Sequence, residues 1–180
     1  MHHRIPRQPA PDQDSASPAQ QPADHGAGLG AELTAVLTGA RRRAVRDGDR
    51  QIDTAHLLHS LLEADPEVRA ACDDGGPRLA RLFGYLVQRS IGYGLRWQGT
   101  VEDSGALPVV IVADGCSPLA AGALEHAADR AAHRDGAPPT GLDLLAGLTA
   151  DPGARAVEVL TRAGIDHGQL LKRLEAAPRG

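Results

Sequence analysis

The chain has 180 residues, a formal net charge of −4 and only 2% aromatic residues. The acidic balance argues against a general nucleic-acid binder, and two cysteines without a CxxC pair argue against a disulfide scaffold or a zinc knuckle. No stretch approaches the roughly 20 apolar residues of a membrane span, and no apolar core of a secretory signal is present. We therefore expect a cytoplasmic protein whose core is built from Leu, Val and Ala.

The first segment, residues 1–28, consists mainly of Pro, Gln, Asp, Ser and Ala. Ile5 is its only large aliphatic side chain after Met1. Such a composition buries too little apolar surface to offset the entropy lost on ordering. We predict a disordered tail over 1–28 and a folded region over 29–177.

Four helices are predicted in the first half of the folded region. The first ends at Gly48, and the second begins at Asp53 or Thr54, which are both good N-cap residues. Asp65-Pro66 starts a third with a cap and a proline at the first helical position, and residues 78–90 form the fourth. The apolar stripe of the first helix consists of Leu33, Val36, Leu37, Ala40 and Ala44.

Residues 91–116 differ from the segments on either side. Glycines at positions 92, 94, 99 and 105 interrupt any helix here. The run Leu107–Val112 is β-type, and with residues 95–101 across the polar turn 102–105 it predicts a short β-hairpin. We interpret the whole stretch as a connector.

The second half again begins with a cap and a proline, Ser117-Pro118. Thr140–Asp143 matches a capping box ahead of a leucine-rich helix. Asp151-Pro152 repeats the arrangement of Asp65-Pro66 and predicts that the next helix begins there. That helix ends at Gly164, and Asp166 caps the last helix.

The two halves repeat one pattern at a spacing of 87 positions. The equivalent pairs are Leu37 with Leu124, Ala40 with Ala127, Arg43 with Arg130, Ala44 with Ala131, Leu57 with Leu144, Leu58 with Leu145, and Leu61 with Leu148. Because these are core-stripe positions, we predict an all-α, pseudo-two-fold bundle of two four-helix repeats, at about 31–90 and 117–177. All seven pairs should be buried, with the leucine pairs 57/144 and 58/145 at the centre.

Several of these runs resemble the Clp repeat. In the second half they are SPLAAGALE from Ser117, LLAGL from Leu144 and AVEVLTRAGID from Ala156, and in the first half Ile52 followed by TAHLL from Thr54. Over about residues 31–177 the chain resembles a free-standing N-terminal domain of a C-type Clp ATPase. That resemblance implies an eight-helix module that binds adaptor proteins and substrates, including substrates marked with phosphoarginine.

The chain departs from this family in three respects. It contains no Gly-x-x-x-x-Gly-Lys-Ser/Thr phosphate loop, so we expect neither ATPase activity nor a cofactor. Ala55 and Leu142 stand where the family has glutamates that hold the guanidinium of phosphoarginine. The connector 91–116 is longer than the family's linker.

The resemblance also implies where proteins or peptides bind. These ligands would include Clp components, their adaptors or their substrates. Cys116 and Ala121 replace an aromatic residue and a lysine that are frequent in C-type domains, which predicts a preference for smaller or less acidic ligands. The implied contact residues are Cys116, Ser117, Ala121, Glu125, Thr54 and His56.

Other interpretations remain open. Arg41, Arg42, Arg43 and Arg46 could bind nucleic acid, although consecutive arginines fan around a helix and are typical of a solvated face. His56 and His59, at i and i+3, have a spacing that can ligate a metal, but no third ligand is evident nearby. An uncharacterised enzyme is a further alternative, although no catalytic arrangement is evident. We expect a binding module without a metal and without a membrane partner.

Overall fold

A computed structural model describes residues 28–91, 100, 102, 115–134 and 136–177. Within these residues the chain is all-α, as predicted, with no β-strand. Its eight helices are α1 Gly30–Asp47, α2 Thr54–Ala64, α3 Pro66–Cys72, α4 Arg78–Ser90, α5 Pro118–Ala132, α6 Gly141–Ala150, α7 Arg155–Ala163 and α8 His167–Ala176.

Parts of two predicted segments fall outside this description. The tail over 1–28 lies outside it except for Gly28, and the hairpin over 95–112 lies outside it except for Thr100 and Glu102. In the described part, no helix is long and apolar enough to cross a membrane.

Most helices begin at the predicted caps. The Asp53 carboxylate accepts a hydrogen bond from the His56 backbone N–H at 2.9 Å, which satisfies one of the free donors of the first turn. Asp65 caps α3 through the Glu67 N–H at 2.8 Å. The predicted capping box of Thr140 and Asp143 is present at the start of α6.

The predicted helix ends are also confirmed at two glycines. Gly48 follows α1 and Gly164 follows α7, with φ angles of 71° and 87°. In this left-handed region a side chain is strained and glycine is not, and the amides of both glycines bond to carbonyls of the preceding turn.

The prediction for the start of α7 was wrong. Asp151 is the C-cap residue of α6, and its carboxylate accepts a hydrogen bond from the Gly153 N–H at 2.7 Å in a local turn. The helix begins three residues later than predicted, at Arg155 after the N-cap residue Ala154. The alanine methyl cannot accept a hydrogen bond, so the first amide of α7 is satisfied from elsewhere in the chain.

The core contains all six apolar pairs of the repeat, each with exposures of 5% or less. The four central leucines are completely buried. The arginine pair differs from the prediction, because the side chains of Arg43 and Arg130 retain 13% and 18% of their exposure. Each pairs its guanidinium with a carboxylate, that of Glu63 and of Asp143 respectively, and so keeps its charged end in contact with a partner.

Helix α1 packs on α2, and α5 packs on α6. At the first contact the Ser60 hydroxyl donates to the Val36 carbonyl at 2.8 Å. At the second, a Cβ added to Gly147 would overlap the Ala123 carbonyl oxygen. Gly147 lies 87 positions after Ser60, and Ala123 lies 87 positions after Val36. Equivalent positions therefore make the close approach in each half. A two-fold relation between the complete halves stays a prediction.

Candidate functional site

The carboxylate of Glu102 lies against the starts of three helices and is only 4% exposed. Its Oε2 accepts hydrogen bonds from the Thr54 backbone N–H and the Ser117 hydroxyl, both at 2.8 Å. Its Oε1 accepts from the Arg155 backbone N–H at 2.7 Å and from the Thr54 hydroxyl. We call the donor set of Thr54, Ser117 and Arg155 the carboxylate cradle.

The cradle depends on where the helices begin. Thr54 and Arg155 are the first residues of α2 and α7, so their N–H groups have no partner within their own helices. Ser117 is the N-cap of α5. The partial positive charge at helix N-termini favours an anion at this point, and Glu102 supplies it.

Both cradle hydroxyls have their orientation fixed. The Thr54 hydroxyl oxygen accepts from the Ala156 N–H at 3.0 Å, and the Ser117 hydroxyl oxygen accepts from the Ala120 N–H at 3.1 Å. Each hydroxyl proton is therefore directed at Glu102. The result is two donors for each carboxylate oxygen.

A short backbone contact aligns the starts of α2 and α5. The Ile52 N–H donates to the Gly115 carbonyl at 2.8 Å, and the Ser117 N–H donates to the Ile52 carbonyl at 2.8 Å. This isolated parallel bridge pairs Ile52 with Cys116. It holds Thr54 and Ser117 on the same side of the carboxylate.

A buried ion-pair network adjoins the cradle. Asp53 Oδ2 accepts from Arg155 Nη1 at 2.7 Å and from Arg89 Nη2. Burial opposes ionisation of Asp53, but His56 and these two guanidinium groups hold the pKa of its carboxyl well below the usual range. Arg155 also donates to the Thr100 carbonyl at 3.0 Å, which ties this connector residue to the network.

A second cluster near the cradle has the spacing of a metal site. Ligand atoms of Asp47, Asp49 and His56 lie within 4.8 Å of one another. Two buried atoms, His56 Nε2 and Asp47 Oδ1, make no hydrogen bond within the described part of the chain. Taken alone, these features fit a divalent cation.

Two observations favour a histidine–carboxylate pair instead. His56 Nδ1 accepts the Asp53 backbone N–H at 3.1 Å, so the neutral ring carries its proton on Nε2, where a metal would have to bind. Arg89 Nη2 also lies 3.0 Å from Asp49 Oδ2, and this positive charge opposes a cation there. Burial lowers the pKa of His56, but Asp49 and Asp53 outweigh it and raise the pKa above the ordinary value.

The structure brings together most of the predicted contact residues. Thr54 and Ser117 bind Glu102, Cys116 lies in the adjoining bridge, and His56 lies in the first turn of α2. These four are buried, as is Ala121, one turn into α5. Glu125 is exposed on α5 about two turns from Ser117.

Sequence reasoning missed Glu102 and Arg155 as members of the site. Glu102 was assigned to a polar turn, because its partners Thr54 and Arg155 lie 48 and 53 residues away. The uncapped start of α7 at Ala154 is a signal that could have indicated a distant acceptor.

The two thiols, of Cys72 and Cys116, are both buried. Burial raises the pKa of Cys72 to about 12, which disfavours the thiolate form that a nucleophile requires. Cys72 borders a cavity of about 300 Å³ between the start of α4 and the start of α8, where Arg78 and Asp166 also lie.

No protein-family model matches the sequence, and no curated protein is similar enough to count as a relative.

Proposed function

We propose that the protein is a non-enzymatic protein- and peptide-binding module related to the N-terminal domain of Clp unfoldases. It acts in the cytoplasm on Clp-dependent proteolysis, as an adaptor or as a decoy for Clp ligands. The observation that carries the proposal is the Glu102 carboxylate held by the starts of α2, α5 and α7. A fold that holds one acidic side chain in this way can hold another.

The location of the cradle supports this proposal. Thr54 and Ser117 belong to the runs that resemble the Clp repeat, and both donate to Glu102. Glu125 is exposed on the same helix as Ser117, where it can contact a ligand that extends beyond the cradle. The eight helices of the described part agree with the number that the resemblance implies.

Recognition of phosphoarginine is not part of the proposal. Ala55, at one of the two glutamate positions, is completely buried, and Leu142 is half-buried. Neither side chain can pair with a guanidinium group. A ligand of this module is therefore recognised by other groups.

Binding rather than catalysis is supported by the chemistry of the site. Thr54 and Ser117 are buried, and their hydroxyls accept from backbone amides and donate to the Glu102 carboxylate, so with Glu102 in place neither hydroxyl is presented to a substrate. We expect no hydrolysis of ATP or peptides by the purified protein. ATP turnover that copurifies with the protein would contradict this.

Binding of nucleic acid through α1 is the alternative, and the charge pairing does not favour it. Arg43 pairs with Glu63, and Arg46 lies 3.6 Å from Asp47. These acidic neighbours reduce the positive field that would attract phosphates. Binding to immobilised DNA at physiological salt distinguishes this alternative from the proposal.

Two experiments test the proposal. Immobilised protein should capture Clp components from a lysate of its own cells, and capture should weaken in Glu125→Ala but not in the surface control Glu175→Ala. In an amide-shift titration with Clp-binding peptides, changes should concentrate at residues 116–125. Changes confined to 41–46, or no binding of any Clp ligand, would count against the function.

A further inference from the structure

The groups that hold Glu102 are all supplied by α2, α5 and α7 and their caps, and none belongs to the connector. The cradle can therefore exist independently of the residue that occupies it. We propose that Glu102 is an internal ligand that blocks a carboxylate-binding site. The ligand it excludes is an acidic side chain or the terminal carboxylate of a bound peptide, which departs from the less acidic ligands that the sequence predicted, because the four donors fit a carboxylate. The inference rests on the proposed function and names the chemistry and regulation of its site.

The arrangement of donors fits a group with two oxygens. One oxygen receives the Thr54 N–H and the Ser117 hydroxyl, and the other receives the Thr54 hydroxyl and the Arg155 N–H. This is the pattern of a planar carboxylate with two donors on each oxygen. A phosphate would bring further oxygens that these four donors do not reach, so a carboxylate is the better match.

The charged side chains near the cradle are paired with one another, so a carboxylate is attracted mainly by the cradle donors themselves. The Arg155 guanidinium is paired with Asp53 at 2.7 Å, and Asp53 also pairs with Arg89. The carboxylate is held by backbone amides and oriented hydroxyls at helix starts, whose partial positive charge is fixed by the fold. Removing Glu102 does not remove this charge and leaves buried donors without an acceptor, which favours the entry of another carboxylate.

Glu102 competes well with external carboxylates because it belongs to the same chain as the cradle. A side chain attached to the same chain competes at an effective concentration that is commonly in the millimolar range for short linkers. An external carboxylate must exceed this concentration to enter. The site is therefore closed to weak ligands and open to a peptide that gains additional contacts, for example with Glu125 and its neighbours.

The test compares the wild-type protein with Glu102→Ala in a titration with sodium acetate, followed by backbone amide shifts. In the variant, the amides of Thr54 and Arg155 should shift saturably, with affinity at least on the order of tenfold tighter than in the wild type. The surface variant Glu175→Ala should behave like the wild type. Sodium chloride at equal ionic strength controls for screening.

A second measurement applies if the alanine variant is unstable. Acetate should then raise its melting temperature, or refold it, more than chloride does, because binding to the native state alone stabilises it. Glu102→Gln keeps the shape of the side chain without its charge and should show the same preference for acetate. Equal responses in wild type and variants, or no specific effect of acetate in either variant, would overturn the inference.

Two peptides identify the source of the carboxylate. N-acetyl-Ala-Ala-Ala with a free carboxyl terminus presents a chain end, and N-acetyl-Ala-Glu-Ala-amide presents only a side chain. At least one should shift the amides of Thr54 and Arg155 in Glu102→Ala, and failure of both contradicts the inference. Acetate binding without capture of Clp components would leave the cradle established and the Clp function wrong. Capture of Clp components without acetate binding in Glu102→Ala would support the Clp function and overturn the inference about the cradle.

Discussion

Asp53 and Arg155 lie 102 residues apart in the chain and form an ion pair, with 2.7 Å between Oδ2 and Nη1. Their side chains are only 1% and 8% exposed. The pair joins the start of α2 to the start of α7, and so links the two predicted halves directly beside the carboxylate cradle. Because both charges are buried, the loss of one partner leaves the other without compensation.

We predict that Asp53→Ala lowers the free energy of unfolding by about 3–5 kcal/mol, the usual effect of breaking a buried pair. A double-mutant cycle with Arg155→Met, measured by denaturant unfolding, should show a clear coupling energy. The pair of exposed Arg162 and half-buried Glu158, at 2.7 Å within α7, provides the control. Arg162→Ala should cost only about 0.3–0.5 kcal/mol. Similar losses at the two pairs would mean that the buried network contributes little.

The completely buried leucines should be the most sensitive apolar positions. Leu57→Ala and Leu145→Ala should each lower the free energy of unfolding by about 2–5 kcal/mol, because they leave cavities between packed helices. Val45→Ala is the matched surface control, since Val45 is 75% exposed and should change stability by no more than about 0.5 kcal/mol. Urea unfolding monitored by circular dichroism measures all three. A small effect at either leucine would contradict the packing described above.

Two glycines should respond in opposite directions to the same substitution. Gly147→Ala places a methyl group against the Ala123 backbone, so α5 and α6 must separate, at a cost of about 1–3 kcal/mol. Gly84 lies within α4, and a Cβ there meets nothing within 4 Å. Gly84→Ala should stabilise the protein by about 0.5–1 kcal/mol through the unfolded state and helix propensity. Thermal unfolding of the two variants gives the comparison, and the same sign for both would refute it.

His59 should make the stability depend on pH in the mildly acidic range. Burial, together with the Arg43 charge, lowers its pKa from 6.5 to about 4. Between these values the unfolded chain binds more protons than the folded one, so stability falls as the pH is lowered from about 6.5 towards 4. The slope of the unfolding free energy against pH should therefore be smaller in His59→Gln. His133→Gln, at an exposed position, should keep the wild-type slope. An unchanged slope in His59→Gln would show that other groups determine it.

Much of the fold follows from signals within a few residues of each other. The caps Asp53, Asp65 and Thr140 each satisfy an amide two or three residues later, and Gly48 and Gly164 end helices through their own backbone conformation. The core stripes are equally local, because helical periodicity places residues three and four apart on one face. These signals predicted the helices and the central leucines before any tertiary contact was known.

Which residues bind a ligand stays a prediction. Thr54 and Ser117 were expected to contact a ligand, and both contact the carboxylate of Glu102. Their burial under a residue of the same chain was not expected. A sequence pattern identifies which residue types surround a helix start, but it does not identify what covers that start in the folded protein.

The sequence by itself determined where most of the helices begin and end and which apolar side chains face the core, since hydrogen-bonded caps and helical periodicity act over a few residues. Only the tertiary structure decided that α7 begins at Arg155, that Asp53 pairs with Arg155, and that Glu102 occupies the cradle. Each of these depends on at least one contact between groups about 50 or more residues apart, whose proximity arises from the packing of whole helices. The position of Glu102, and with it the regulation we propose, is a property of the folded chain.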